Sequence, residues 1–138
     1  MPKYYHIHRG LEKSNIENKF ENGKLLFFSK KNSFWYNYEI EISKDYGGYI
    51  IYEIDISPKI FTYSFKPKRK NTILKINKSN MNKYLDIKRP DLIKLMKQNN
   101  IIGVDATTKL FNKKNFKQYN EAFIIKKTKH IKIKKHKY

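Results

Sequence analysis

The chain has 138 residues, no cysteine and four histidines, and its 31 lysines and arginines against 12 acids give a formal net charge of +19. The length suits one domain with a core of its own, and the absence of cysteine excludes disulfide frameworks, thiolate zinc sites and thiol catalysis. No apolar run approaches a membrane span and no long apolar leader is visible, so the expectation is a soluble cytoplasmic monomer with no metal and no membrane, in a host cell if the gene is viral.

Residues 4–9 read as a strand rich in aromatic and β-branched side chains, ended by Gly10. Residues 11–22 carry Leu11, Ile16 and Phe20 at loose helical spacing before the Asn22-Gly23 turn. Leu25 to Phe28 is a short continuous apolar run, suited to a strand buried on both faces. Residues 32–42 admit two readings. Asn32 or Ser33 can cap a helix with Phe34, Trp35 and Tyr38 inward, whereas Tyr38, Ile40 and Ile42 alternate like a strand.

A turn at residues 45–48 leads into the clearest strand, Tyr49 to Ile56, which stops before Pro58. Residues 60–65 and 72–76 are further strand candidates, joined by the basic loop 67–71. The best helix runs from Pro90 to Gln98: Pro90 suits its first turn, Asp91 complements the dipole, and Leu92, Ile93, Leu95 and Met96 share a face. Ile101 to Val104 reads as a strand, 105–120 as a polar loop and 122–125 as a strand. From Lys126 the chain is basic and alternates around Ile131 and Ile133, an edge strand expected to fray. This order of elements points to an α+β fold.

Three short pieces carry the chemistry. His8-Arg9-Gly10 ends the first strand. Gly23-Lys24-Leu25-Leu26-Phe27-Phe28-Ser29 opens a polar-aromatic stretch that continues to Ser33 and Tyr38. Asn120-Glu121-Ala122-Phe123-Ile124-Ile125 lies near the C-terminus. Together, in this order, they resemble the three-part NAD⁺ pocket of ADP-ribosyltransferases, including the catalytic domains of poly(ADP-ribose) polymerases.

The resemblance implies a compact fold of two packed, mainly antiparallel sheets with one or two short helices, spanning residues 1–126 and followed by a basic tail, 127–138. It implies NAD as cofactor and a mono-ADP-ribosyltransferase that breaks the nicotinamide-ribose bond and passes ADP-ribose to a protein or nucleic-acid acceptor. Arg9 is then the fork that holds the NAD⁺ phosphates, and Gly10 lets the ligand approach the backbone. His8 is one position early for the His-Gly variant of this motif, and strand alternation sets it opposite Arg9. Phe27 falls where the family stacks an aromatic on nicotinamide, with Tyr38 beyond it. Ser29 matches the serine that supports the catalytic glutamate. Glu121 is that glutamate, a fixed carboxylate beside developing positive charge. Gln118 and Tyr119 stand where the family reads its acceptor, and Tyr119 departs from the usual Glu or Gln.

The charge supports a second reading, a non-catalytic nucleic-acid-binding or interaction protein. The loop 66–70 and the segment 126–137 can track a phosphate backbone, with 11 tyrosines and nine phenylalanines as stacking surfaces. Only Arg9, Arg69 and Arg89 among the basic residues are arginine, which fits AT-rich coding and argues against a base-reading module.

Overall fold

The alternation in residues 49–56 builds the first sheet. In the computed structural model, which describes residues 3–11, 25–31, 33–108 and 122–138 (Phe34 by its backbone alone), strand β3 is Tyr49–Ile56. Its Ile50, Tyr52, Ile54 and Ile56 are buried in one core cluster. Strands β1 (Lys3–Arg9) and β8 (Ile131–Lys137) flank it, both antiparallel. On the opposite face Glu53 joins all three strands, accepting from Lys3 at 2.8 Å and meeting His136 at 3.2 Å. Those hydrogen bonds hold its carboxyl below the usual carboxylate range.

The segment expected to be a tail is part of this sheet. Strand β8 pairs with β3 without a break from Ile56↔Ile131 to Ile50↔Lys137. The physical reason lies in its own alternation: Ile131 is fully buried in the core and Ile133 packs against it, while the intervening lysines face out. The edge strand is present, and it does not fray before Lys137.

The second sheet has the order β2 (Leu26–Phe28), β7 (Ala122–Ile124), β6 (Ile101–Asp105), β5 (Thr72–Lys75) and β4 (Phe61–Thr62). Four of the six strand pairings among the described residues are antiparallel, and β4, β5 and β6 run parallel. A parallel neighbour needs a long crossover, which residues 76–100 supply as helices α2 (Met81–Asp86) and α3 (Arg89–Gln98). The fold is α+β, with two mainly antiparallel sheets and few short helices. The residue 60–65 candidate shrinks to Phe61–Thr62, because Phe65 folds under the helix-side core.

One core fills the space between the sheets, joining Tyr4, Ile50 and Ile54 to Leu26, Phe28, Ile73 and Ile124. A second lies between the five-stranded sheet and the helices, around Leu74, Tyr84, Leu92, Met96 and Phe123. Gly103 permits the close approach of β6 and β7: a Cβ there would stand 2.7 Å from Ile124 Cγ2 and from the Phe123 carbonyl. Strand β2 is the rim of its sheet, so only one of its faces is fully covered. Leu26 and Phe28 are buried, and Phe27 is 41% exposed where burial on both faces was expected.

Helix α1 is Phe34–Ser43, which settles the double reading of residues 32–42. The Ser33 Oγ accepts from the Tyr36 N–H at 3.2 Å and caps it. The helix packs on the outer face of β1, where the Tyr5 and Tyr36 rings meet edge to face at 5.4 Å. No helix among the described residues is long and apolar enough to cross a membrane.

Tyr4 ties the inter-sheet core to the end of β6. Its hydroxyl donates to Asp105 Oδ2, while Asp105 Oδ1 accepts from the Thr107 backbone at 2.9 Å and from the Thr107 hydroxyl. Burial first, and the adjacent carboxylate second, push the Tyr4 phenol far up, so it remains a donor. Tyr4→Phe leaves a buried carboxylate oxygen short of a partner, an expected loss of about 1–3 kcal/mol. Urea unfolding of the two proteins measures it, and coincident midpoints would remove Asp105 from the stabilising contacts.

Candidate functional site

The free edges of the two sheets meet at one place. The Tyr5 N–H donates to the Ser29 carbonyl at 2.8 Å and the Ser29 N–H to the Tyr5 carbonyl at 2.9 Å, so β1 and the end of β2 are stitched together. Beside this stitch a cleft of about 530 Å³ opens along β1, closed on its far side by Trp35 and Glu39 of α1. Residues 5–9 all line it, together with Phe27, Phe28 and Ser29. Because the cleft wraps the edge of β1, His8 and Arg9 both reach it from opposite faces of the strand.

Three of the sequence-predicted residues, Arg9, Phe27 and Ser29, therefore share one cleft. Arg9 does not stand alone there. Its Nε and Nη2 each donate to the Glu39 carboxylate at 3.1 Å, and its guanidinium lies 6.0 Å from the Tyr46 ring centre. The Glu39 hydrogen bond and charge raise its already high pKa, so it is a permanent cation. Glu39 takes two of its five donors and Tyr46 draws on the guanidinium as well, which leaves part of the fork for a ligand.

Phe27 packs on Phe123 at 5.7 Å, and the Arg89 guanidinium sits 5.2 Å from the Phe27 ring and 4.7 Å from that of Phe123. His6 Nδ1 lies 2.7 Å from the Phe27 carbonyl, a further tie between β1 and β2. Ser29 is buried at the stitch.

Two predicted residues sit elsewhere. Tyr38 is 44% exposed and does not line the cleft. In a helix Trp35 and Glu39, four residues apart, share the cleft side, and Tyr38 is turned off it against Trp35, ring centres 6.1 Å apart. Gly10 also does not line the cleft, and a Cβ there would meet nothing within 4 Å among the described residues. A φ of +83° as the chain leaves β1 already calls for glycine there.

Gln118, Tyr119 and Glu121 lie outside the described residues, as do Gly23 and Lys24 and the helical spacing of 12–22. The strand that follows Glu121 is described. Ala122 pairs with Phe28 and Phe123 with Phe27, so β7 begins beside the residue that precedes Ser29.

Sequence reasoning missed Glu39, His6 and Arg89, and gave Trp35 no role beyond the core. Glu39 and Trp35 were hidden by the double reading of 32–42, since only a helix sets them on one side. Arg89 had a signal, being one of three arginines in a lysine-rich chain. No group of three or more acids or histidines among the described residues is arranged to hold a metal. No family model, curated protein or solved structure matches the chain.

Proposed function

We propose that the chain is an NAD⁺-dependent mono-ADP-ribosyltransferase-like enzyme, which cleaves the nicotinamide-ribose bond and transfers ADP-ribose to a protein or nucleic-acid acceptor. The observation that carries the reading is the convergence of Arg9, Phe27 and Ser29 on one cleft at the junction of the two sheets. Arg9 comes from the first motif and Phe27 and Ser29 from the second, and two motifs separate in sequence that open on one cavity are what a shared site requires. In this reading Arg9 holds the pyrophosphate through the donors that Glu39 and Tyr46 leave, and nicotinamide meets the part of the Phe27 ring that Phe123 and Arg89 do not cover. Ser29 orients the carboxylate of Glu121, which stabilises the cation formed as nicotinamide departs.

Arg9→Ala is expected to weaken NAD⁺ binding by about tenfold or more, the loss of a charge-assisted fork being worth roughly 1.5–3 kcal/mol. The fold should be kept, because Arg9 is exposed and its pair with Glu39 is a surface pair worth little to stability. Titration calorimetry with NAD⁺ decides it. Equal affinity in parent and variant would take Arg9 out of the cofactor site.

A further inference from the structure

The other edge of the sandwich carries a second cleft, of about 670 Å³, between the edge strand β8 and the β4–β5 side of the other sheet. It is lined by Lys59, Arg69, Lys70, Lys129 and His130, with Thr72 and Thr128, and by no carboxylate. It shares no lining residue with the cleft at β1. Two basic segments remote in sequence, the loop before β5 and the turn before β8, are thus brought together on one recess.

The recess is built, not a chance meeting of mobile side chains. The Arg69 guanidinium donates from Nη1 to the Lys59 carbonyl and from Nη2 to the Phe61 carbonyl at 3.2 Å, which anchors the basic loop to the chain ahead of it. Asn71 then turns the chain into β5 with a left-handed φ of 56°. On the other wall the Ser57 N–H donates to the His130 carbonyl at 3.0 Å, and the Ile131 N–H to the Thr128 carbonyl at 3.1 Å. Thr72, also lining the cleft, is fully buried, and its hydroxyl has no hydrogen-bond partner among the described residues. The cations of the recess, not this closed-off hydroxyl, are what an anionic oxygen meets there.

We propose that this second cleft binds the sugar-phosphate backbone of a single-stranded nucleic acid. The lining offers cations, hydroxyls and the Asn71 amide, with Ile60 as its one apolar residue and the His130 imidazole as its one aromatic ring, so contacts to phosphate outnumber contacts to base. Beyond the recess Lys132, Lys134, Lys135 and Lys137 continue along the exposed edge strand and extend the positive path.

The test uses the full chain and fluorescence anisotropy with labelled oligo(U) and oligo(dT) over a range of salt. The double variant Lys70→Gln/Lys129→Gln is compared with Lys78→Gln/Lys94→Gln, which removes the same charge from exposed positions elsewhere. All four lysines are exposed, and circular dichroism checks that both variants fold. The cleft variant should bind roughly tenfold more weakly, with its log–log salt slope reduced by about 1.4, or roughly 0.7 for each lost phosphate contact. The control pair should keep the parent's slope. Equal losses in the two variants would overturn the proposal in favour of diffuse charge, and so would tighter binding of a duplex of the same length. Displacement by millimolar inorganic phosphate at constant ionic strength would assign the cleft to free phosphate instead. Because the clefts share no residue, failure here leaves the NAD⁺ reading where it stood.

Discussion

Replacing Glu121 by glutamine is expected to lower nicotinamide release from NAD⁺ by roughly 10²–10³-fold, the usual cost of removing one preorganised electrostatic partner from a transition state. The cause is charge. As the nicotinamide-ribose bond breaks, the ribose carbon becomes positive, and only a carboxylate in place beforehand stabilises it without reorganisation. Glutamine keeps the shape and hydrogen-bonding reach of the side chain and loses the charge. Stability should change little, because Ala122, Phe123 and Ile124, all fully buried, carry the packing of this strand. Release of nicotinamide followed by chromatography, with circular dichroism as the check on folding, reads both quantities. A folded variant that turns over NAD⁺ at the parent's rate would remove Glu121 from the chemistry.

Deleting residues 126–138 is expected to unfold the protein. Strand β8 supplies seven paired positions to the central strand β3, and Ile131 lies in the core between the sheets with Ile133 against it. Each buried isoleucine contributes about 1.5–3 kcal/mol of burial, and removal also strips β3 of its ladder partner along one side. A typical domain has only about 5–15 kcal/mol in total. The single substitution Ile131→Ala, at about 2–5 kcal/mol, tests the same point without truncation. Thermal and urea unfolding measure both. If the truncated chain still melts cooperatively at the parent's midpoint, β8 is dispensable and the packing described for Ile131 carries no weight. The deletion therefore cannot serve as a probe of nucleic-acid binding, which is why the charge of the second cleft is tested by lysine-to-glutamine changes.

The sequence offered candidate positions and little of their geometry. Arg9, Phe27 and Ser29 were found from short motifs, and all three line one cleft. Tyr38 and Gly10 came from the same motifs and do not. Their positions have local causes: a helical rotation turns Tyr38 off the cleft, and a backbone angle calls for the glycine. The partner of Arg9 was not legible at all. Glu39 is 30 residues away, and nothing in either segment announces that a helix will lie over the end of β1.

Side-chain period determined the strand at 49–56 and which of its faces is buried, and the Pro90-Asp91 start with an apolar stripe determined the helix that follows. Those signals pass between residues a few positions apart, and local chain geometry is enough to express them. Whether residues 34–43 became helix or strand, and whether the basic C-terminal segment stayed outside the core, were decided by tertiary structure. A sandwich needs cover on the outer face of β1 and a partner for the free side of β3, and α1 and β8 supply them. The two clefts have the same origin. Each forms beside sheet edges built from distant segments, where Tyr5 pairs with Ser29 on one side and where Arg69 and His130 line one recess on the other. Edge meetings depend on the packing of whole sheets, which no window of neighbouring residues contains.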